Sequence, residues 1–386
     1  MTSDLQVLDV LLAGPATRPE IAAATGLSKP TVSDAIRRLQ QAHLVRAAGQ
    51  RHGTRGRSPT AYDLATDAGY VVGLDIGGAN LRVLAADLRG GAIATGARPT
   101  QPRGGAAVAA QAIALLGEVL DAHGLDRDRL LGLGVSAPGV IDPETSRMSQ
   151  CYNIGQASEF DLLSLIVPHF AARVRLDNNV NCAAHGERRR GHAAGVPTFA
   201  FVSVGAGIGM GAIYEGRVLR GRRGAAGEIG YLPLGPDPFA PGHRRRGGLE
   251  DEASASGMLD AAARQPGWPD GPPGSVQALF ALAEAGVPAA QAIVDREARL
   301  LAMAVASVCT VIDPHLVVLG GGIGSNRLLL SSTREAVALL CGDPPPLRTS
   351  ALGAEASVYG AMEMALDLAH DELRRRASAN GGIAIR

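Results

Sequence analysis

The sequence has few aromatic residues, few cysteines and no excess of charge of either sign. Aromatic residues make up 3% of the 386, whereas 50 residues are glycine, and this composition favours tight packing of helices and strands joined by glycine turns. The four cysteines (Cys151, Cys182, Cys309 and Cys341) lie far apart, with no pair at metal-ligand spacing. The sequence therefore supports neither a disulfide framework nor a cysteine-rich zinc site, and it fits a reducing compartment.

The net charge and the hydropathy of the sequence further limit the class of protein that it can encode. The formal net charge is zero, so the chain as a whole does not predict nucleic-acid binding, and any basic surface must be local. No stretch of about 18 uninterrupted apolar residues is present, and the N-terminus lacks the basic and apolar regions of a signal peptide. We therefore expect a cytoplasmic protein with no membrane span. A length of 386 residues with 46% hydrophobic content predicts two or three globular domains.

The first 64 residues predict the three helices of a helix-turn-helix domain. Leucines at helical spacing mark the first helix, and the second runs from Arg18 to Thr25 and stops at Gly26. Ser28 is expected to cap a third helix that has Pro30 in its first turn. Three apolar residues form the buried face of that helix: Val32, Ile36 and Leu39. In this arrangement the third helix enters the major groove of DNA.

A basic loop follows the helices. The segment after Leu44 predicts strand, loop and strand, which is the β-hairpin wing of a winged helix-turn-helix domain. Between Arg46 and Tyr62 it contains four arginines, three glycines and no acidic residue. Arginine on a flexible glycine loop suits phosphate contact or insertion into the minor groove. The alternative is a three-helix packing unit with an incidental basic loop.

The residues expected to contact DNA come from the third helix and the wing, and the pattern does not assign bases or phosphates among them. On the helix they are Lys29, Thr31, Ser33, Arg37 and Arg38, and on the wing they are Arg51, Arg55 and Arg57.

Three glycine-rich turns at strand ends organise the rest of the chain. The first joins a strand over 71–76 to a hairpin partner over 81–87, the second joins 199–204 to 211–214, and the third follows a strand over 316–319. One such turn is a weak signal, because any tight turn favours glycine. Two similar strand–loop–strand units are typical of a duplicated, two-lobed architecture whose glycine hairpins face phosphates across a cleft. An unrelated α/β fold is the alternative on this pattern alone.

From about Tyr70 to Asp367 the sequence resembles the ROK family of repressors and sugar kinases. The matching segments follow the family's order: GLDIGGANLRVLAADLRG, GLGVSAPGVID, LDNNVNCAAHGE, VGAGIGMGAIYEGRVLRGRRGAAGEIGYLPL, GGLEDEASASGM and IDPHLVVLGGGI. The resemblance implies an α/β fold in which an N-terminal winged helix-turn-helix domain (1–64) and a connector (65–70) precede a two-lobed, actin-like and sugar-kinase-like ROK domain (71–370). Residues 371–386 are expected to form a flexible tail. An N-terminal domain of this kind is the layout of the family's sugar-responsive regulators.

The resemblance also identifies a position at which chemistry has been lost. Kinases of the family have an aspartate where this chain has Asn179, and that aspartate takes the proton from the attacking sugar hydroxyl. A neutral amide has no basic site of use at pH 7. The nearby Asp177 is expected to point the same way but to lie about 6–7 Å away, too far to substitute. We therefore expect no catalytic residue and no phosphotransfer.

The residues that match the family's nucleotide-binding loops also depart from the family pattern. The family's phosphate loops usually carry threonines where this chain has Ala79 and Ala206. Backbone amides of glycine loops still bind anions, so we expect ATP binding to be weakened. The residues that match the family's nucleotide loops, here expected to be vestigial, are Asp75, Gly77, Gly78, Gly205, Gly207, Gly321 and Gly322.

The zinc site that the resemblance implies lacks its ligands. It uses a histidine after a Gly-Glu-x-Gly stretch and three closely spaced cysteines, whereas here Tyr231 stands in place of the histidine and residues 233–250 contain no cysteine. His243 alone cannot make a tetrahedral structural site, and we expect it to be an exposed loop residue. We expect no metal and no other cofactor.

Most residues that match the family's sugar-binding residues are retained. Carboxylates suit sugars because each oxygen accepts hydrogen bonds from neighbouring hydroxyls. Tyr231 in place of the family's histidine implies a changed ligand or geometry, and the alternative for the two glutamates is a purely structural role. The residues expected to bind sugar are Asn178, Asn179, Glu228, Tyr231, Glu250, Pro138 and Gly139.

These features predict a sequence-specific DNA-binding transcriptional regulator, most often a repressor in this family, that a sugar or sugar derivative controls. A palindromic operator needs two reading helices, so we expect a homodimer or homotetramer. The rival hypothesis is an ATP-dependent sugar kinase with an attached DNA-binding domain, and Asn179 separates the two. A third possibility is a regulator that has lost its effector and responds to a protein partner.

Overall fold

The computed structural model describes residues 2–50, 59–101, 103–155, 159–235, 237–239, 242–243 and 247–380. A small N-terminal domain with a three-stranded sheet precedes two lobes that each contain a five-stranded sheet. The predicted fold class, a winged helix followed by a two-lobed sugar-kinase-like domain, is confirmed.

The N-terminal domain folds as three helices and a wing. Its elements are α1 (Ser3–Ala13), β1 (Ala16–Thr17), α2 (Arg18–Thr25), α3 (Lys29–Gln41), β2 (Val45–Gln50) and β3 (Thr60–Leu64). The Ser28 side chain accepts a hydrogen bond from the Thr31 amide and caps α3 as predicted. Strands β2 and β3 pair antiparallel as the wing, and β1 pairs with β3 on its other side. The predicted inner face of α3 is buried: Val32 and Ile36 are 0% exposed and Leu39 is 1% exposed.

The first lobe begins at Tyr70. Its elements are β4 (Tyr70–Ile76), β5 (Asn80–Ala86), β6 (Ala92–Pro99), α4 (Gly105–Ala122), β7 (Leu130–Ala137), β8 (Val140–Ile141), β9 (Met148–Ser149), α5 (Leu163–Ile166) and β10 (Arg173–Asn178). The sheet order is β6-β5-β4-β7-β10, in which β4 pairs antiparallel with β5 and parallel with β7. Asp75 lies opposite Arg82 in the β4–β5 hairpin.

The second lobe repeats this connectivity. Its elements are α6 (Asn179–Arg190), β11 (Phe199–Val204), β12 (Ile208–Tyr214), β13 (Arg217–Val218), α7 (Gly248–Ala253), α8 (Ala255–Arg264), α9 (Val276–Glu284), α10 (Pro288–Ile312), β14 (Val317–Gly320), α11 (Gly321–Gly324), α12 (Arg327–Leu340), β15 (Leu347–Thr349) and α13 (Ala356–Asn380). The sheet order is β13-β12-β11-β14-β15, in which β11 pairs antiparallel with β12 and parallel with β14. The two sheets therefore share one topology, which is the duplication that the two glycine hairpins predict.

Helix α4 belongs to the core of the first lobe. By length and composition alone it is apolar enough to cross a membrane, and the bent pair α9 and α10 passes the same test as a unit. In the structure Val108, Ala112 and Leu116 of α4 are fully buried in the core of the first lobe, and α4 packs on β4, β5 and β6. Residues of α9 and α10 line the core of the second lobe.

Helix α13 connects the lobes to the N-terminal domain. It packs on α6, β4 and β7 and, further along, on α1. Glycines allow this close approach: a side chain at Gly134 would collide with the carbonyl of Ala361, and one at Gly360 would collide with the carbonyl of Cys182. The helix therefore lies directly against backbone on both sides.

The expectation of a flexible tail over residues 371–386 is wrong for residues 371–380, which continue α13. Leu373 and Ala377 are 0% exposed and share one hydrophobic cluster with Leu8 of α1. Arg374 donates to the Asp9 carboxylate at 2.8 Å. The charged composition of this segment concealed two apolar residues four positions apart, which lie on one face of a helix. Residues 381–386 lie outside the described part of the chain.

The core of the second lobe contains an acidic residue, Glu297 of α10. Its side chain is 0% exposed, and neither carboxyl oxygen has a hydrogen-bond partner among the described residues. Burial raises the pKa of Glu297 well above its usual value. Because the folded-state pKa exceeds the unfolded value of about 4.3, the stability that this group contributes is present at low pH and is lost as pH rises through the folded-state pKa.

Replacing Glu297 with methionine should stabilise the fold. Removing an unsatisfied buried polar group should raise the free energy of unfolding near pH 7 by about 1–3 kcal/mol. It should also weaken the loss of stability between about pH 5 and about pH 8. Chemical denaturation at both pH values measures the two effects, with Asp295→Asn, an exposed change on the same helix, as the control. Lower stability of Glu297→Met at the higher pH would contradict this account.

Candidate functional site

The candidate DNA-reading surface is the polar face of α3. Lys29 and Arg37 are exposed, and Thr31 and Ser33 are partly exposed. Lys29, Ser33 and Arg37 follow one another at four-residue spacing and so lie along one stripe of the helix. Arg37 forms an exposed ion pair with Asp34, and the Thr31 hydroxyl lies 2.8 Å from the Ser28 hydroxyl. These four residues therefore remain predicted DNA contacts.

Arg38 differs from the expectation, because its guanidinium is bound within the domain. Its Nε lies 3.1 Å and 3.0 Å from the two carboxylate oxygens of Asp4, and Nη2 donates to the Ser3 hydroxyl at 3.1 Å. Asp4 is 1% exposed, and a buried carboxylate requires a charged partner. This bond raises the pKa of Arg38. Arg38 therefore holds α1 against α3 and is withdrawn as a DNA contact. Arg51, Arg55 and Arg57 lie outside the described residues and remain predictions.

The candidate carbohydrate site is centred on the junction of β10 and α6. Asn178 is the N-cap of α6: its Oδ1 accepts from the amides of Val180 at 2.7 Å and Asn181 at 3.3 Å. Its Nδ2 donates to the Gly139 carbonyl at 2.7 Å. Asn178 thus ties the predicted sugar loop to the start of the helix, and one N–H remains for a ligand.

The loop of Pro138 and Gly139 is fixed from its other side. Gly139 has a φ of 97°, which disfavours any other residue there. A side chain at Gly139 would also approach the Ser149 carbonyl and the Cys151 sulfur. Burial raises the pKa of the Cys151 thiol to about 12, and the carboxylate of Glu228 adds to that rise. Glu228 therefore lies on the Cys151 side of the loop.

Two carboxyl groups and a tyrosine form the rest of the site. Burial and, to a smaller extent, the nearby carboxylate of Glu250 together raise the pKa of Glu228 to about 7. Glu250 accepts a hydrogen bond from the Ile208 amide at 2.9 Å. Burial also raises the pKa of Tyr231, with Tyr152, Glu228 and Glu250 contributing. Near pH 7 Glu228 is partly protonated, so its carboxyl group both donates to and accepts from hydroxyl groups.

Asn179 and Asp177 have different partners. The Asn179 carbonyl accepts from the Ser357 hydroxyl of α13 at 3.0 Å, whereas its carboxamide has no hydrogen-bond partner among the described residues. The Asp177 carboxylate forms an ion pair with Arg220 and accepts from Asn181 Nδ2 at 3.1 Å. Asp177 is thus already paired, and whether it can act as a base stays a prediction.

The first two predicted nucleotide loops lie at the turns of the β4–β5 and β11–β12 hairpins, and the third follows β14. Asp75 is 3% exposed, accepts from the Ser136 hydroxyl at 2.7 Å and faces Arg82 at 3.5 Å. Burial raises the pKa of Asp75, which the bond from Ser136 and the charge of Arg82 partly oppose.

Two glycine amides of these loops donate within their own turns. The Gly77 amide donates to the Asn80 carbonyl and the Gly205 amide to the Gly207 carbonyl, each at 3.0 Å. Gly205 lies against Gly322, so the second and third loops adjoin. Gly78 lies in the turn between β4 and β5, whereas Gly321 and Gly322 begin α11 directly after β14.

The residues at the family's zinc position do not fit a zinc ion. His243 is half-buried rather than exposed as expected: its side chain is 17% exposed, and Nε2 lies 3.7 Å from the Asp251 carboxylate. No group of three histidine, cysteine, aspartate or glutamate side chains suited to a metal occurs among the described residues.

Sequence reasoning did not find Tyr152, Arg82 or Arg220. Arg82 could have been found, since a short hairpin turn at 77–79 places it opposite Asp75. Arg220 lies 43 positions from Asp177, and Tyr152, which helps to raise the pKa of Tyr231, belongs to a distant segment of the chain. The sequence around Arg220 and Tyr152 does not predict either interaction.

The fold and the site together define a class: a winged helix-turn-helix domain joined to a two-lobed, sugar-kinase-like domain. The ROK family model matches residues 71–368, and the MarR family model matches residues 2–58. The chain belongs to the ROK family.

Both kinases and regulators are similar to this chain. Glucokinase from Halalkalibacterium halodurans is 30% identical over 308 residues, which cover 75% of this chain and 93% of that protein. Xylose repressor from Bacillus subtilis is 27% identical over 230 residues, 60% of this chain and 59% of that protein. A solved ROK family transcriptional regulator, a homolog of the E. coli MLC protein, has a TM-score of 0.80 at 22% identity, covering 97% of this chain and 98% of its own. Family membership therefore leaves the choice between the two functions to the residues of the site.

The role of Asn178 in joining helix and loop can be measured against a matched cap. Asn326 caps α12 in the same way, accepting from Leu328 at 2.9 Å and Leu329 at 3.3 Å. An N-cap substitution costs about 1 kcal/mol. We expect Asn178→Ala to cost about 1 kcal/mol more than Asn326→Ala, because it also removes the bond to Gly139. Urea denaturation of both variants gives the difference, and equal costs would mean that the bond to Gly139 does not stabilise the fold.

Proposed function

We propose that this chain is a transcriptional regulator, acting as a repressor, whose DNA affinity is controlled by a sugar or sugar derivative in the cleft. The winged helix-turn-helix domain with its polar α3 supports DNA binding. Glu228, Glu250 and Asn178 around the loop of Gly139 support carbohydrate binding. The single observation that carries the choice of regulator over kinase is Asn179, an amide at the start of α6 where family kinases have their base.

The chemistry of a phosphotransfer step explains why one amide matters. The sugar hydroxyl must lose its proton as it attacks phosphorus, and a positioned carboxylate contributes roughly 10²–10⁴ in rate. The Asn179 carboxamide does not accept that proton at neutral pH. Asp177 is held by Arg220 and Asn181. On this proposal the protein works without ATP, and likewise without zinc, because the donor set around Tyr231 and His243 is incomplete.

A route from the cleft to the DNA-binding domain runs along α13. Near its start Ser357 donates to the Asn179 carbonyl, and near its end Arg374 pairs with Asp9 of α1. The 25 residues of this helix span about 37 Å. If closing the cleft moves α6, the same rigid helix moves α1. Such coupling requires that the ligand bind one arrangement more tightly than the other.

The proposal includes an assembly of two or four chains. One reading helix covers one half-site, so a palindromic operator requires two DNA-binding domains at a spacing of about 34–36 Å. Because each domain shares its core with α13, a rotation within each chain would change the spacing between the two.

A sugar kinase with an attached DNA-binding domain is the second candidate, favoured by the 30% identity with a glucokinase. One experiment separates the two. The full chain is screened by thermal shift against pentoses, hexoses and amino sugars, and each sugar that binds is then tested with ATP in a coupled assay. We expect at least one sugar to raise the melting temperature and to change operator affinity, with no phosphorylated product.

Substitutions in the proposed cleft test whether a thermal shift or any turnover comes from this site. Glu228→Gln and Glu250→Gln should lose the thermal shift, whereas Glu118→Gln, an exposed change in α4, should keep it. Turnover at about 1–100 s⁻¹ that disappears in Glu228→Gln and Glu250→Gln would establish the kinase. Turnover that persists in both variants would identify a contaminant. If no sugar raises the melting temperature, control by carbohydrate is wrong.

The DNA surface is testable through Lys29, the only lysine of the chain. Lys29→Ala should weaken operator binding and reduce the salt dependence of log K by about one phosphate contact without changing the melting temperature. Bound DNA should also protect Lys29 from amine-reactive labelling. Arg38→Ala should instead lower the melting temperature, because it leaves the buried Asp4 unpaired. The reverse pattern in the two variants would contradict the assignment.

A further inference from the structure

A second cavity lies behind the carbohydrate site, on the other side of β10. Neighbouring side chains of a strand point to opposite faces, so Asp177 points away from the loop that Asn178 contacts. The cavity has a volume of about 310 Å³, and its walls come from β10, α6, β13 and α13. It shares Asp177 and Arg220 with an adjoining cavity of about 300 Å³. None of its residues was singled out as a ligand contact by the family pattern.

The walls carry an excess of positive charge. Four arginines line the cavity (Arg175, Arg188, Arg217 and Arg220), against the carboxylates of Asp177 and Asp367. Arg220 pairs with Asp177, and Asp367 pairs with Arg189 at 3.0 Å. The guanidinium groups of Arg175, Arg188 and Arg217, which come from three different elements, have no acidic partner in the part of the chain that the structure describes. Three uncompensated cations around one concave space favour an anionic occupant.

Two buried polar atoms in the same cavity also lack partners. Asn181 Oδ1 and His185 Nε2 have no hydrogen bond among the described residues, and Asn181 is 4% exposed. Asp367 is 3.9 Å from His185 Nε2, which is beyond hydrogen-bond length. Burial lowers the pKa of His185 to about 4, so near pH 7 its neutral ring offers one N–H donor. A bound polar molecule or ion is one explanation for buried polar atoms without partners. Of the two atoms only His185 Nε2 can donate to an anion, because the Asn181 oxygen accepts hydrogen bonds and suits a hydroxyl group of the ligand.

We propose that this cavity binds a phosphate group, either as inorganic phosphate or as part of a phosphorylated metabolite. Guanidinium groups match the oxygens of phosphate in pairs and hold them more firmly than neutral donors do. A volume of about 310 Å³ lies within the usual range for small-molecule sites, about 300–1,000 Å³. The concave shape and the carboxylates of Asp177 and Asp367 disfavour the backbone of duplex DNA. The site is separate from the carbohydrate cleft and does not depend on sugar binding.

Occupancy would act on the start of α6. A phosphate that binds Arg220 competes with Asp177, and Asp177 accepts hydrogen bonds from the Asn178 amide and from Asn181. The same short segment therefore faces the carbohydrate site on one side and the proposed phosphate site on the other.

The test uses calorimetric titration of the full chain at constant ionic strength with sodium phosphate, glucose 6-phosphate and, as the control anion, chloride. We expect saturable binding of at least one phosphate compound and none of chloride. Arg188→Ala and Arg217→Ala should each weaken that binding about 10-fold or more. Arg299→Ala, which removes an exposed arginine of α10, should leave it unchanged. Because Arg217 is exposed, its variant is expected to fold even if Arg188→Ala does not.

The two phosphate compounds distinguish the source of the ligand. Tighter binding of glucose 6-phosphate that is lost in the arginine variants supports a phosphorylated metabolite, and equal affinities support inorganic phosphate. The proposal is overturned if neither compound binds saturably, or if binding is the same in wild type and both cavity variants. It is also overturned if these variants lose operator affinity in phosphate-free buffer, because the arginines would then belong to a nucleic-acid surface.

Discussion

The close packing of α13 is the constraint on which the rest of the structure depends. The helix lies against the backbone of β7 at Gly134 and against α6 at Gly360, where no side chain fits. Its last turns are buried against α1 in a cluster that also contains residues of the first lobe. The DNA-binding domain is therefore not carried on a loose linker. A movement of α13 relative to the lobes must also move α1, because packed interiors shift as units rather than deforming continuously.

The polar contacts between the N-terminal domain and the rest of the chain fix the orientation of the domain more than they stabilise its packing. The ion pair of Arg374 and Asp9 is about 40% exposed on each side, and pairs of that kind contribute little to stability. Arg89, just after β5, donates to the Leu12 carbonyl at 2.8 Å and pairs with Asp63. Apolar burial around Leu373 and Ala377 holds the domains together, while these polar bonds fix the angle between them. On the proposed function, a small change in that angle would alter the fit of two DNA-binding domains to an operator.

Sequence patterns identified what is local and missed what is distant. The cap at Ser28, the inner face of α3 and the two glycine hairpins each follow from spacing within a few residues, and the structure has them where the patterns placed them. Arg38 was placed on the DNA surface because its partner, Asp4, is 34 positions away. The last turns of α13 were taken for a tail because their charged residues outnumber the two that are buried. Asn179 stood out only through comparison with the family's kinases, since the local sequence does not mark it as a lost base.

Side chains at the junction of β10 and α6 have structural tasks that are independent of any reaction. Asn178 uses its side chain to cap the helix and to hold Gly139, and Asp177 uses its own to hold Arg220 and Asn181. Neither task requires a proton to be transferred. Asn179, the first residue of α6, accepts a hydrogen bond from Ser357 with its backbone carbonyl. That bond does not depend on whether its side chain is an acid or an amide. On the proposed function, a kinase-like cleft with this substitution binds a hydroxylated ligand and passes its presence to α13. The energy of binding then shifts the arrangement of the domains rather than lowering a chemical barrier.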